Sequence, residues 1–181
     1  MKKTKFFSLL MTLLCVLMTT VTFAACGDDD DDHTNPNPGV VDQNIKSVNF
    51  TYTLELSQTY LDVADVTITY LDSDGNEQTE TIKNTTWTKT VTRNSVPTSF
   101  YAKPSFTLKE GVDATQKYDF NSNVSYSYRT FNAKGDIVTG KEDSMPQMSG
   151  GVKGENLENF LQRAAGLHTI KCNISTKGLP E

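Results

Sequence analysis

His168 and Cys172 have the side chains that most resemble a general base and a nucleophile. They are four residues apart in a segment where apolar and polar residues alternate, as they do in a β-strand. Four residues of strand separate two side chains by about 13 Å, too far for the hydrogen bond that activates a nucleophile. We therefore predict that both lie on a core face, His168 as a hydrogen-bonded histidine and Cys172 as an inert thiol.

The segment Asp72–Asn76 (Asp-Ser-Asp-Gly-Asn) is rich in the oxygen ligands that calcium prefers. An EF-hand loop needs glycine at its sixth position and glutamate at its twelfth. Counted from Asp72, glycine is fourth and the twelfth residue is Lys83, so the motif fails. Asp, Asn and Gly are also the residues that hairpin turns select, and a turn is the prediction here.

The sequence contains no nucleophile elbow, phosphate-binding loop or cluster of metal ligands. We therefore expect no catalytic residues, no metal and no cofactor. Trp87, Tyr101 and Tyr60 are the aromatic residues least well explained by a core stripe. Exposed together, they could form a stacking platform for sugar rings or a contact for a protein. The alternative for Trp87 is burial in the core, because it shares a strand face with Val91.

The segments that contain these candidate residues are preceded by an N-terminal segment of different composition. Three lysines lie within the first five residues, and the apolar run Phe6–Phe23 comes after them. Phe23-Ala24-Ala25-Cys26 then resembles the lipobox of bacterial lipoproteins, although Phe23 stands where leucine is usual. The resemblance implies that residues 1–25 are a signal peptide and that Cys26 receives a diacylglycerol after cleavage. Two alternatives are an uncut membrane-spanning helix and ordinary cleavage after Ala24.

The five aspartates Asp28, Asp29, Asp30, Asp31 and Asp32 follow directly. They resemble the acidic export signal of surface-exposed lipoproteins of the Bacteroidota. That resemblance implies an outer-membrane protein that is held by its lipid and faces the cell exterior. The alternatives are a solvated acidic tail without a receptor and a domain that faces the periplasm.

Asp143-Ser144-Met145 resembles the short O-glycosylation motif of envelope proteins of the same phylum. The resemblance makes Ser144 a candidate for glycan attachment. Three residues are a short motif, and an intact-mass measurement would test it.

Charge and cysteine content limit what the rest of the chain can do. Residues 1–25 contain three of the 17 basic residues, which leaves 14 basic and 22 acidic residues. Six of those acids precede Lys46, so the acidity belongs mainly to the segment before the folded domain. No basic stripe is present, and nucleic acid is not an expected partner. Cys15 leaves with the signal peptide and Cys26 carries the lipid, so Cys172 has no partner left for an intramolecular disulfide.

Residues 26–44 are acidic and then rich in proline and asparagine, and we expect them to form a disordered tether. Residues 45–181 form a single β domain, because apolar residues recur there with a period of two. The period changes once, at Leu157, Phe160, Leu161 and Ala164, whose spacing predicts one short C-terminal helix.

About eight strands and one late helix predict an antiparallel β-sandwich of immunoglobulin-like or transthyretin-like type. A small β-barrel is the alternative. The function that we expect is a non-catalytic binding module, displayed on the lipid and contacting a surface glycan or an envelope protein. A pilin-like structural subunit is the second hypothesis, and an enzyme is the third.

Overall fold

The computed structural model describes residues 44–181, which form a mainly β structure of two antiparallel sheets. The sheets do not close into a barrel, so the predicted β-sandwich is confirmed and the barrel alternative is wrong. The five-stranded sheet contains β1 (Ile45–Leu56), β4 (Thr86–Arg93), β6 (Lys117–Asn132), β7 (Ile137–Ser144) and β8 (Met148–Lys153). The four-stranded sheet contains β2 (Ala64–Leu71), β3 (Glu77–Ile82), β5 (Thr98–Leu108) and β9 (Ile170–Ile174).

The strand β1 is central to the five-stranded sheet, with β4 on one side and β6 on the other. Its even-numbered residues from Val48 to Leu56 are buried between the sheets, as the alternation predicts. In the other sheet the strand order is β3, β2, β5, β9. Both β7 and β8 pair with β6, along successive parts of its length.

The turn at Asp72–Asn76 joins β2 to β3, which confirms the hairpin prediction. One carboxylate oxygen of Asp72 accepts hydrogen bonds from the backbone N–H groups of Asp74 and Asn76, at 3.0 and 2.9 Å. Gly75 has a φ of 92°, a conformation that other residues adopt only with strain. The acidic side chain therefore stabilises a turn.

In the described part of the chain, two short α-helices and the 3₁₀ helix Gly154–Asn156 accompany the sheets. The predicted helix is α2 (Leu157–Leu167), which packs against β5 and buries Leu157, Leu161 and Ala164. The helix α1 (Gln58–Val63) was not predicted, because six residues are too few to show a helical period. It follows β1 directly and buries Tyr60 and Val63.

At one long edge of the sandwich the two sheets are joined by charged side chains that point inward. Lys89 of β4 lies 2.6 Å from Glu80 of β3, and Glu80 also accepts hydrogen bonds from Tyr70 and Trp87. These bonds, chiefly the one from Lys89, lower the pKa of Glu80 to about 2. Charged residues that point inward from edge strands oppose pairing with further strands.

Candidate functional site

Tyr60 is fully buried, so the expectation that it contributes to an exposed aromatic platform is wrong. Its ring lies 5.1 Å from Phe106, 4.8 Å from Phe120 and 6.1 Å from Phe160. The unpredicted helix α1 places Tyr60 in this aromatic cluster, which lies in the core.

Trp87 and Tyr101 lie on different surfaces of the sandwich. Trp87 is half-buried at the edge between the sheets, where its indole N–H donates to Glu80 at 2.9 Å. Tyr101 alternates with two buried residues of β5, and its strand neighbour on β9 is Lys171. It therefore faces outward from the four-stranded sheet. The three aromatic residues do not form a single stacking surface.

His168 and Cys172 are both buried, in agreement with the prediction for each. Burial raises the pKa of the Cys172 thiol, which keeps it in its unreactive protonated form. The sequence pattern placed His168 in the last strand. In the structure it instead ends α2, as the C-terminal cap of that helix. The strand β9 starts two residues later, at Ile170.

A buried hydrogen-bond network joins Ser122 to His168 and Tyr60, and sequence reasoning missed it. The hydroxyl oxygen of Ser122 lies 2.7 Å from Nε2 of His168 and 3.0 Å from the hydroxyl of Tyr60. Burial lowers the pKa of His168, so the ring is held neutral. One signal in the sequence could have revealed the network: Ser122 is a polar residue at an inward position of β6, between the apolar residues Phe120 and Val124.

The distance from Ser122 to His168 suits a nucleophile and its base. However, Ser122 is only 2% exposed, and Nδ1 of His168 has no hydrogen-bond partner among the described residues. A catalytic histidine is normally oriented by a third group that accepts a hydrogen bond from that nitrogen. We interpret the network as the means by which three buried polar groups satisfy one another.

A concave surface lies where β1 ends, and we call it the Glu55 cleft. It consists of an inner part of about 190 Å³ and an outer part of about 520 Å³, which share Glu55, Asn123 and Gln147. The other lining residues are Leu56, Ser57, Asn121 and Ser122 in the inner part and Ser144, Met145 and Pro146 in the outer part.

Sheet register places the polar side chains of the Glu55 cleft side by side. Glu55 of β1 and Asn123 of β6 are direct cross-strand neighbours, and the Asn123 amide donates to the Glu55 carboxylate at 3.2 Å. Gln147, between β7 and β8, donates its amide to the side-chain oxygen of Asn121 at 2.7 Å. Sequence reasoning did not identify these residues, because they come from three separate segments of the chain.

The Glu55 cleft has one ionisable lining residue, Glu55 itself. This carboxylate forms no ion pair with any residue in the described part of the chain. Within residues 44–181, no group of three His, Cys, Asp or Glu residues could hold a metal ion. None of the helices in this range has the length and apolar character needed to cross a membrane.

Ser144 is exposed at the end of β7 and at the outer part of the cleft, and its glycosylation stays a prediction. Cys26 and the aspartates at 28–32 lie outside the described residues. No protein-family model matches the chain, and no curated protein matches it.

Proposed function

We propose that this chain is a lipid-anchored protein of the bacterial outer membrane whose β-sandwich is a non-catalytic binding module. The Glu55 cleft is the binding site, and its geometry is the observation that carries the proposal. Four polar side chains from three segments converge there beside an apolar wall, as they do in many ligand sites.

The position of the Glu55 cleft supports a role in display. The chain enters the domain at Ile45, and Glu55 lies ten residues further along the same strand. Ten residues of strand extend about 33 Å, so the cleft is at the far end of β1 from the tether. The stretch from Cys26 to Asn44 spans at most ~65 Å when fully extended. A domain held at Ile45 can therefore present the cleft beyond the membrane surface.

The chemistry of the lining residues supports binding rather than catalysis. General acid–base catalysis uses positioned groups that exchange protons, and most hydrolytic sites combine at least two. Glu55 is the only ionisable lining residue of the cleft, and the hydroxyl of Ser122, a residue that also lines the inner part, is already in hydrogen bonds with His168 and Tyr60. The cleft is equipped to donate and accept hydrogen bonds.

Three edge strands argue against the pilin-like alternative. Strand exchange needs an edge that accepts another strand, and charges on the inward register of β3, β4 and β7 oppose this, whereas the edge strands β8 and β9 have no such charge. Glu80 and Lys89 pair at one edge. Lys141 and Asp143 pair on β7, on the face that they share with the inward residues Tyr128 and Tyr126.

The anchor is tested by growing the producing cells on a labelled fatty acid. We expect label on the wild-type chain and on Cys15→Ala and Cys172→Ala controls, and none on Cys26→Ala. The unlabelled variant should leave the membrane fraction. Protease treatment of intact cells should then digest the wild-type domain. Protection of the domain would contradict display at the cell surface, and label on Cys26→Ala would contradict the anchor.

The binding site is tested by replacing Gln147 with a photo-crosslinking amino acid in the full chain on living cells. We expect irradiation to yield adducts of higher mass. The same substitution at Lys103, on the outer face of the four-stranded sheet, should yield none. Equal yields at the two positions, or none at Gln147, would contradict the assignment of the cleft.

A further inference from the structure

We infer that the Glu55 cleft binds neutral oligosaccharides, with one sugar ring in the inner part and the chain continuing through the outer part. This inference rests on the proposed function and adds the class of ligand. It follows from the mixture of hydrogen-bonding groups, the charge and the shape of the cleft.

The hydrogen-bonding groups of the cleft match those of sugar hydroxyls. A hydroxyl both donates and accepts, so a sugar site needs donors and acceptors close together. Asn123 and Gln147 present amide N–H groups, whereas Glu55 and Asn121 present oxygens. In the structure the Asn123 amide donates to Glu55 at 3.2 Å, and the Gln147 amide donates to Asn121 at 2.7 Å. Two adjacent ring hydroxyls can replace these bonds without leaving a polar group unpaired.

The charge of the cleft selects against acidic ligands. The lining residues include no Lys, Arg or His, and Glu55 contributes one negative charge. A carboxylate, phosphate or sulfate would lie beside Glu55 without a cation to compensate, and such like-charge contacts are unfavourable. Uronic acids, sialic acids, sulfated sugars and phosphorylated lipids are therefore poor ligands.

The shape of the cleft fits a chain of sugars rather than a single buried molecule. The inner part, about 190 Å³, has a volume that can hold one sugar ring, and the outer part of about 520 Å³, which Ser144 helps to line, leaves room for further rings. Met145 and Pro146 form an apolar wall on which the C–H face of a ring can pack. No aromatic side chain lines the cleft, so a single site binds weakly. Display of many copies on a membrane compensates for weak sites through multivalency.

The inference is tested with an array of neutral, sialylated and sulfated oligosaccharides. The probe is the full chain, purified in detergent and incorporated into fluorescent lipid vesicles so that many copies contact the array together. We expect the vesicles to bind neutral glycans and not the acidic ones. Loss of one hydrogen bond in Asn123→Ala or Gln147→Ala should weaken the binding of a single site about five-fold. Glu55→Gln, which removes the charge but keeps the shape, should allow acidic glycans to bind.

Matched controls lie at exposed positions away from the cleft. Asn173→Ala on β9 and Gln162→Ala on α2 remove the same side-chain types and should leave binding unchanged. A silent array, or neutral binding that the two cleft variants do not weaken, overturns the inference. The proposed function would survive that result if the crosslinker at Gln147 still attached the chain to an envelope protein.

Discussion

The hydroxyl of Ser122 lies 2.7 Å from Nε2 of His168, and this contact joins the two sheets through a helix end. Ser122 belongs to β6 of the five-stranded sheet, whereas His168 caps α2, which packs on β5 of the other sheet. The hydroxyl of Tyr60, from α1, completes the network at 3.0 Å. Three elements that are distant in sequence thus contribute to one buried network, which satisfies both hydroxyls and Nε2 of His168.

Replacing Ser122 by alanine should destabilise the domain. The change leaves a ring nitrogen of His168 and the hydroxyl of Tyr60 without their partner in the core. An unsatisfied buried polar group costs about 1–3 kcal/mol, and we expect the free energy of unfolding in urea to fall by that amount. Ser125→Ala is the matched control on the outer face of the same strand and should change it by less than about 0.5 kcal/mol. Equal stability of the two variants would contradict a structural role for the network.

The stability of the domain should fall as the pH is lowered below the ordinary pKa of histidine. Burial lowers the pKa of His168 in the folded state from 6.5, so the unfolded chain takes up a proton first. By linkage, the contribution of His168 is complete above pH 6.5 and is lost as the pH falls toward its folded-state pKa. Urea unfolding at a series of pH values between about 7.5 and 5 measures this. The slope should be smaller in His168→Gln, and an unchanged slope would assign the effect to other groups.

A second loss of stability is expected at lower pH from Glu80. Hydrogen bonds from Lys89, then from Tyr70 and Trp87, lower its pKa from 4.5 to about 2. The stabilisation is therefore present above pH 4.5 and is lost as the pH falls from 4.5 to about 2. Glu80→Gln should reduce the pH dependence of unfolding in this range. Glu77→Gln, at an exposed position of the same strand, should leave it unchanged.

The C-terminal turn should depend on Gly178 for packing as well as for conformation. Gly178 and Gly111 have similar positive φ values, 74° and 78°. An added Cβ would overlap the Ile45 side chain at Gly178 and lie 3.2 Å from methyl groups of Thr130 and Thr139, but it meets nothing within 4 Å at Gly111. We expect Gly111→Ala to cost about 1 kcal/mol from backbone strain alone. Gly178→Ala should cost a further 1–3 kcal/mol or so from overpacking, and equal costs in thermal or urea unfolding would contradict this packing.

The strands of this protein could be predicted because their pattern is local. Val48 to Leu56 alternate along β1, and each side chain follows the strand period wherever the strand lies. The apolar stripe of α2 is equally local, since its residues are three or four apart. The helix α1 was missed because it is shorter than two turns. The turn at Asp72 was recognised because Asp and Gly carry its geometry within five residues.

The candidate site could not be predicted, because long-range strand pairing and not a local pattern brings its residues together. Glu55, Asn123 and Gln147 are separated by tens of residues, and only the register of β1 with β6 and the β7–β8 connection brings them together. The same holds for Ser122 and His168, each of which is unremarkable in its own segment. The platform of Trp87, Tyr101 and Tyr60 failed because sheet topology, which spacing does not encode, sends them to three different environments.

The sequence by itself determined that the domain is β and where the turn at Asp72–Asn76 lies. Those properties arise from interactions between residues that are close along the chain, such as turn hydrogen bonds and alternating burial. Only the tertiary structure decided which polar side chains share a cleft and which are buried as partners. Strand pairing and the stacking of two sheets set those distances, because they place residues from distant segments within hydrogen-bond reach.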